Sequence, residues 1–217
     1  MRKAREITIA FLLTVAFTGS AKVPTVNFAN GWEGLTPDQV RDLKAGKIVI
    51  LDRDQSQGTD WQRFIQAAVI FEQPIDVVWG LFRQTARQEQ YLAKLNKCVT
   101  VEDKGTYDKV DFFVKFSFIS INYRVQHDFD PQNYYFYWSL DPGYKNKLKH
   151  LEGYWKLFKL DEQHTLARYG TIVNTSDLVP KSIQEVLTRQ DLPQSLESVK
   201  KFIDSNGKYA KPGYTQK

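Results

Sequence analysis

Apolar and polar residues alternate through most of the chain after Trp61, the period of two that a half-buried strand imposes. One parity carries Val110, Phe112, Val114, Phe116 and Phe118, then Tyr123, Val125, His127 and Phe129, then Tyr134, Phe136, Trp138 and Leu140. It continues through Leu151, Gly153, Trp155 and Leu157 to Ala167, Tyr169, Thr171 and Val173. The other parity carries Lys109, Asp111, Lys115, Arg124, Gln126, Asp128, Glu152, Lys156 and Arg168. The first set is predicted to face a core and the second to face water. Six strands are expected over 98–102, 106–120, 122–130, 133–140, 145–160 and 164–174. Asp103-Lys104-Gly105, Asp130-Pro131-Gln132, Asp141-Pro142-Gly143 and Asp161-Glu162-Gln163 supply turns between most of them. Connections this short make an antiparallel meander. A further strand over 61–71 precedes them and ends at Gln73-Pro74. Lys145, Lys147 and Lys149 share the parity of Leu151 and Trp155, so either a bulge switches the register there or the strand end runs past the core.

Helical spacing appears at two places. Ile75, Val78, Trp79 and Phe82 make a short amphipathic helix after the first strand, and a second short helix is expected over 88–95. Residues 178–203 place Ile183, Val186, Leu187, Leu192, Leu196, Val199, Phe202 and Ile203 on one face. Pro180 suits a first turn, and Pro193 should bend or split the helix. Nothing after this helix can cover its apolar face, so it must lie on the sheet. The fold class is therefore α+β: a curved antiparallel sheet of about seven strands wrapped on a long C-terminal helix, with two short helices after strand one. Upstream, Thr36 caps a helix that Pro37 begins and Gly46 stops, and 48–51 is a short strand. Residues 22–60 hold too few apolar positions for their own core and read as an extension packed on the domain at 61–204. The polar stretch 205–217 reads as a flexible tail.

The 217 residues suffice for one domain with extensions. With 14 Phe, 11 Tyr and 5 Trp, the interior is aromatic, which favours strands. The net charge of +5 falls to +3 without the first six residues and is spread out, so no nucleic-acid partner is called for. Residues 1–21 read as a secretory signal: Arg2, Lys3 and Arg5, then the apolar 7–17, then Gly19-Ser20-Ala21. The apolar run is shorter than the ~20 residues of a membrane span. The protein is expected to be exported, periplasmic or secreted, after cleavage near Ala21. Cys98 is the only cysteine, which rules out an internal disulfide. No cofactor is implied, and the spacing of His127, His150 and His164 matches no metal-ligand motif.

The order strand, two short helices, six strands, long helix resembles the START-like, birch-pollen-allergen-like helix-grip superfamily. Within it the chain resembles the bacterial polyketide cyclase/dehydrase and lipid-transport proteins. The matching residues are Pro74 to Leu81 with Val78-Trp79 at their centre, Tyr137-Trp138-Ser139-Leu140, Gly153-Tyr154-Trp155-Lys156-Leu157, Thr165 with Arg168-Tyr169, and Leu192-Pro193 with Leu196. The resemblance covers about 61–204. It implies a cavity between sheet and helix that takes a lipid or other hydrophobic small molecule. On this reading Phe112, Phe116, Tyr123, His127, Phe136, Trp138, Trp155, Tyr169 and Leu187 line it, with access by the 141–144 loop and the start of the last helix.

Three function classes follow. The first is a monomeric carrier, with Lys145, Lys147 and Lys149 allowing transient contact with a membrane surface. The second is a cyclase or dehydratase, which needs a positioned acid/base pair. The third is an interaction module with a filled core. No catalytic residue is assigned. His127 could serve a ligand's polar end or act as a base. Because no acid is seen on its face nearby, it reads as a core histidine satisfied by a neighbour. Cys98 reads as a packing residue.

Overall fold

The computed structural model describes residues 26–51, 64–116, 119–175 and 191–215, with the backbone alone at Phe116, Ile119 and Thr175. The helices are α1 Pro37–Lys44, α2 Ile75–Phe82, α3 Gln88–Tyr91 and α4 Asp191–Asp204. The strands are β1 Val49–Leu51, β2 Ile65–Phe71, β3 Leu95–Asp103, β4 Tyr107–Phe116, β5 Ile119–Asp130, β6 Tyr135–Leu140, β7 Leu148–Lys159 and β8 Thr165–Thr175. They form one antiparallel sheet in the order β1-β2-β8-β7-β6-β5-β4-β3. The sheet has eight strands, one more than expected, because Val49–Leu51 pairs with β2 at its edge. The signal sequence at 1–21, the helix start at 180 and Leu187 fall outside the described residues. Among those that are described, no helix is long and apolar enough to cross a membrane.

The inner face follows the expected alternation. Ala67, Val69 and Phe71 from β2, Phe129 and Phe136 from β5 and β6, and Trp155, Leu157 and Ala167 from β7 and β8 pack against Leu192, Leu196, Val199, Phe202 and Ile203 of α4. Helix α2 drives Val78 and Phe82 into the same cluster. Its buried residues Ile75, Val78, Leu81 and Phe82 repeat at three- and four-residue steps.

The outer face departs from expectation. Arg168 and Glu152 do not face water; both are buried. For Arg168 the cause is the N-terminal extension. Val26 and Phe28 pack on Phe64, Tyr135, Tyr137 and Tyr154, while Trp32, Leu35 and Leu43 pack on Ala68, Ile70 and Leu166. Arg168 donates to the carbonyls of Gly31 and Glu33 at 3.1 and 2.7 Å and stacks on the Phe28 ring. Glu152 accepts from the Tyr137 hydroxyl and lies 3.1 Å from His150 Nε2. Sheet strands β2 and β8 are thus covered on both faces.

Two further details matter for the site. The register shifts between Leu148 and His150, so a bulge at Lys149 resolves the lysine parity conflict and returns Leu148 to a buried position. The tail is also not free. Gln90 Nε2 donates to the carbonyls of Gly207 and Tyr209 at 3.0 and 2.7 Å, and Lys211 N–H returns a bond to Gln90 O at 2.8 Å. Residues 207–211 therefore brace α3 and the start of β3 from behind.

Trp155 lies within 4.9 Å of Phe82 and 4.7 Å of Tyr169, ring centre to ring centre. Trp155→Ala is expected to lose about 3–5 kcal/mol, read by urea unfolding. A loss under about 1 kcal/mol, the usual scale of surface substitutions, would contradict its placement in the core.

Candidate functional site

Between the inner face and α4 lies a cavity of about 290 Å³. That is near the lower end of the ~300–1,000 Å³ usual for small-molecule sites. Phe112, Tyr123, His127, Phe136, Trp138, Trp155 and Tyr169 all line it. Phe116 and Leu187 cannot be placed, since the Phe116 side chain and residues 176–190 lie outside what is described. The 141–144 loop contributes no lining residue. Asp141 is instead buried against Lys109 and hydrogen-bonded to the Gly143 N–H. The cavity runs between an enclosed end at His127, Phe136 and Trp155, all buried, and an open end. There the lining residues Ile65, Val114, Leu151 and Val173 are only half-buried.

Cross-strand neighbours build the walls. Phe112 pairs with Tyr123, their rings stacked at 5.3 Å. Trp138 pairs with Gly153, and its ring lies across the glycine so closely that an added Cβ would meet it at 2.2 Å. Gly153 thus makes room for Trp138. Tyr91, on α3, stacks on Phe202 of α4 at 4.3 Å and ties the helical wall together.

The enclosed end carries an arrangement that the expected strand boundaries concealed. His127 Nδ1 lies 2.6 Å from Asp108 Oδ1, and the Thr85 hydroxyl donates to Asp108 Oδ2 at 2.6 Å. All three residues are buried. An acid therefore does share the face of His127. It went unseen because the β4–β5 register pairs Phe116 with Ile119, which sets Asp108 opposite His127. Strands broken at residue 121 place Lys115 there instead. The available signal was parity: Asp108 is in step with Val110 and Phe112. The contact needs a hydrogen between the two groups, and an Nδ1–H donating to the carboxylate supplies it. That leaves Nε2 as the ring nitrogen that can meet a ligand.

The open end holds a second polar group that was also missed. Lys94, just before β3, pairs with Asp191 of α4 at 3.3 Å, and Gln88 and Ser195 join them in the lining. Cys98 packs with Leu95, Val110, Phe112 and Val125. Burial, with Glu89 beside it, pushes its thiol pKa far above the ordinary value, so it stays protonated and a poor nucleophile. Among the described residues no three of His, Cys, Asp and Glu gather as metal ligands would.

No protein-family model and no curated protein matches the chain. Solved structures do. The Zhui aromatase/cyclase from Streptomyces sp. R1128 is 17% identical, with a TM-score of 0.54 over 65% of this chain and 93% of that one. A START superfamily protein from Mycobacterium smegmatis is 12% identical, with a TM-score of 0.54 over 65% and 97%. The STAR-related lipid transfer protein from Xanthomonas axonopodis is 12% identical, with a TM-score of 0.52 over 72% and 92%. The fold is the START-like helix-grip fold.

The lining phenols make stability depend on alkaline pH. Removal from water raises the pKa of Tyr91 and Tyr123, and pushes that of Tyr169 up to about 12. Unfolded phenols ionise near ~10. Between those values the unfolded chain has shed protons that the folded chain keeps, so unfolding gains as pH rises. The contribution is whole below about pH 10 and is lost as pH climbs through about 12. The urea midpoint should fall across this window, and less steeply in Tyr169→Phe. A midpoint constant up to about pH 12 would contradict the burial of these hydroxyls.

Proposed function

We propose that the chain is an exported carrier that holds one apolar small molecule between α4 and the sheet. The cavity carries this reading: about 290 Å³ walled by Phe112, Tyr123, Phe136, Trp138, Trp155 and Tyr169. Wetted aromatic surface is unfavourable by about 25 cal/mol per Å², so a ligand that displaces water there completes the core. The volume suits one ring system or one acyl chain better than a two-chain lipid. The likeness to lipid-transfer and aromatase/cyclase structures supports a ligand in this place and does not choose between them. Export rests on residues 1–21. The natively made protein is expected to begin at Lys22, and a retained Met1 would sink that part of the reading.

One observation favours an enzyme as the second reading. The Thr85–Asp108–His127 chain is a histidine oriented by a buried acid that is itself anchored, the geometry of a general base. A cyclase or dehydratase acting in the cavity would use Nε2 to move a proton.

Leu151 stands half-buried at the open end. Leu151→Trp should cut binding of a fluorescent fatty-acid or sterol analogue about tenfold or more while thermal unfolding stays close to wild type. Unchanged affinity, or no binding by wild type at micromolar concentration, would defeat the cavity reading. Mass spectrometry of organic extracts separates carrier from enzyme. A carrier should yield the same compound from wild type and His127→Gln. An enzyme should yield the unconverted compound from the variant, heavier by one water for a dehydration and of equal mass but different chromatographic retention for a simple ring closure.

A further inference from the structure

Lysines line the end of the sheet where the cavity opens. The Lys115 N–H donates to the Lys94 carbonyl at 3.3 Å, and Lys115 pairs with Ser120 across β4 and β5. Lys147 Nζ donates to the Ser120 carbonyl at 3.2 Å. Lys149 stands at the bulge of β7, and its neighbour His150 pairs with Asn174 of β8. Lys94, Lys115, Lys147 and Lys149 therefore follow one another across the strand ends, and all four are exposed. The stretches 92–99, 112–122, 144–151 and 171–175, which build this end, contain no Asp or Glu. Among the described residues that line the cavity, Asp191 is the one acid, and it pairs with Lys94.

Apolar residues lie beside this basic line. Ile65, Val114, Leu151 and Val173 are half-buried at the opening. Phe113, with Lys97 Nζ 5.9 Å from its ring centre, is 38% exposed. The opposite end of the sheet leans to the other sign. Glu102 and Asp103 end β3, Asp128 and Asp130 end β5, and Asp161 and Glu162 follow β7.

We infer that the lysine-lined opening docks on a bilayer that contains anionic phospholipids, with the mouth of the cavity turned to the lipid. The inference takes its motive from the cavity reading and adds a partner to it. An apolar ligand that leaves through water exposes its whole surface, whereas one that passes into acyl chains stays covered. Lysine suits such a rim, because its stem lies along apolar surface while the ammonium reaches the phosphates. Each lysine near an anionic surface strengthens binding about fivefold, and a basic patch with an apolar centre combines two weak attractions into one usable hold. The acids at the far end make the molecule a dipole, which an anionic surface turns mouth first. A nucleic acid would meet the lysines but leave the apolar opening in water.

The test uses the chain from Lys22 onward, which holds every described residue and lacks the apolar segment 7–17. It is sedimented, without ligand, with vesicles of phosphatidylcholine alone or with about one-third phosphatidylglycerol. Wild type should bind the mixed vesicles about tenfold or more tightly than the neutral ones, and less so as salt rises. The triple variant Lys115→Glu, Lys147→Glu, Lys149→Glu should lose about tenfold or more of that binding. A control with Lys44→Glu, Lys159→Glu and Lys208→Glu changes the net charge equally and should stay within about threefold of wild type. Hydrogen exchange on wild type decides the orientation even if the triple variant does not fold. Mixed vesicles should slow exchange near Lys115, Ser120 and Lys149 and leave the strand ends at Asp103 and Asp130 unchanged. Equal binding to both vesicles, an equal loss in the control, or slowing at the acidic end would each overturn the inference. Because no ligand is present, such a failure is separate from the cavity reading, which stands or falls with Leu151→Trp.

Discussion

The clamp between the last turn of α4 and the end of β2 is the constraint on which the cavity depends. Asp204 Oδ1 accepts from the Glu72 N–H at 2.8 Å, the Asp204 carbonyl accepts from Gln73 at 3.0 Å, and Lys200 bridges the Ile70 carbonyl and Asp204 Oδ2. These bonds fix the C-terminal half of α4 onto one end of the sheet. There Phe202 and Ile203 meet Phe71, Phe82 and Tyr91 in a filled core. The Asp191 end has no comparable clamp to a strand among the described residues. At that end Asp191 pairs with Lys94 at 3.3 Å, and the cavity lies along this half of α4, where Leu192, Ser195, Leu196 and Val199 line it.

The outer layer gives the inner one a firm wall. A sheet that bounds a cavity lacks packing on part of one face, and rigidity has to come from elsewhere. Here the extension covers β2, β8 and β7 from behind. Tyr154 lies over Gly170 so closely that an added Cβ would meet its ring at 2.2 Å, and Phe64 packs edge-on against Tyr154 at 5.2 Å. Arg168 ties the extension down through two carbonyls but keeps Nε and Nη2 buried without partners. Removal from water lowers its pKa. A cation held that way opposes burial, so the apolar contacts of Val26, Phe28 and Leu43 must outweigh it for the layer to stay closed.

What could be read from the sequence was what depends on local period. Strands, the α2 helix, the Thr36 cap and the inward face of the aromatics came from alternation and spacing, because a side chain's face is set by its own strand; that this face bounds a cavity came from the helix-grip resemblance. What could not be read depends on pairing between distant segments. Glu152 and Arg168 carry the outward parity correctly. Arg168 is buried by residues more than a hundred positions away, Glu152 is held by Tyr137 and His150, and charge alone argues for water at both. Asp108 sits on the correct parity too, but its meeting with His127 depends on the β4–β5 register, and the sequence from 113 to 121 has no Gly, Pro or Asn to mark it. Lys94 and Asp191 are ordinary surface residues by sequence, and only the docking of α4 brings them together. The polarity of 205–217 suggested freedom, whereas the carbonyls of Gly207 and Tyr209 are held by Gln90.

The polar groups of the cavity stand at opposite ends and differ in how far they are satisfied. At the enclosed end, Asp108 is held on one oxygen by Thr85 and on the other by His127, so the carboxylate is matched within the protein. A ligand is not needed to complete it, and what remains for chemistry is His127 Nε2. At the open end, Asp191 pairs with Lys94 through one oxygen and keeps the other buried away from the cavity space. Stability alone would favour an apolar residue at either place, because buried ionic groups are often replaced by well-packed apolar ones at no loss. That the enclosed end is not apolar is therefore informative. Its satisfied carboxylate fits a group that must hold one orientation, and a ligand reaching that end of the cavity would meet an oriented imidazole at Nε2.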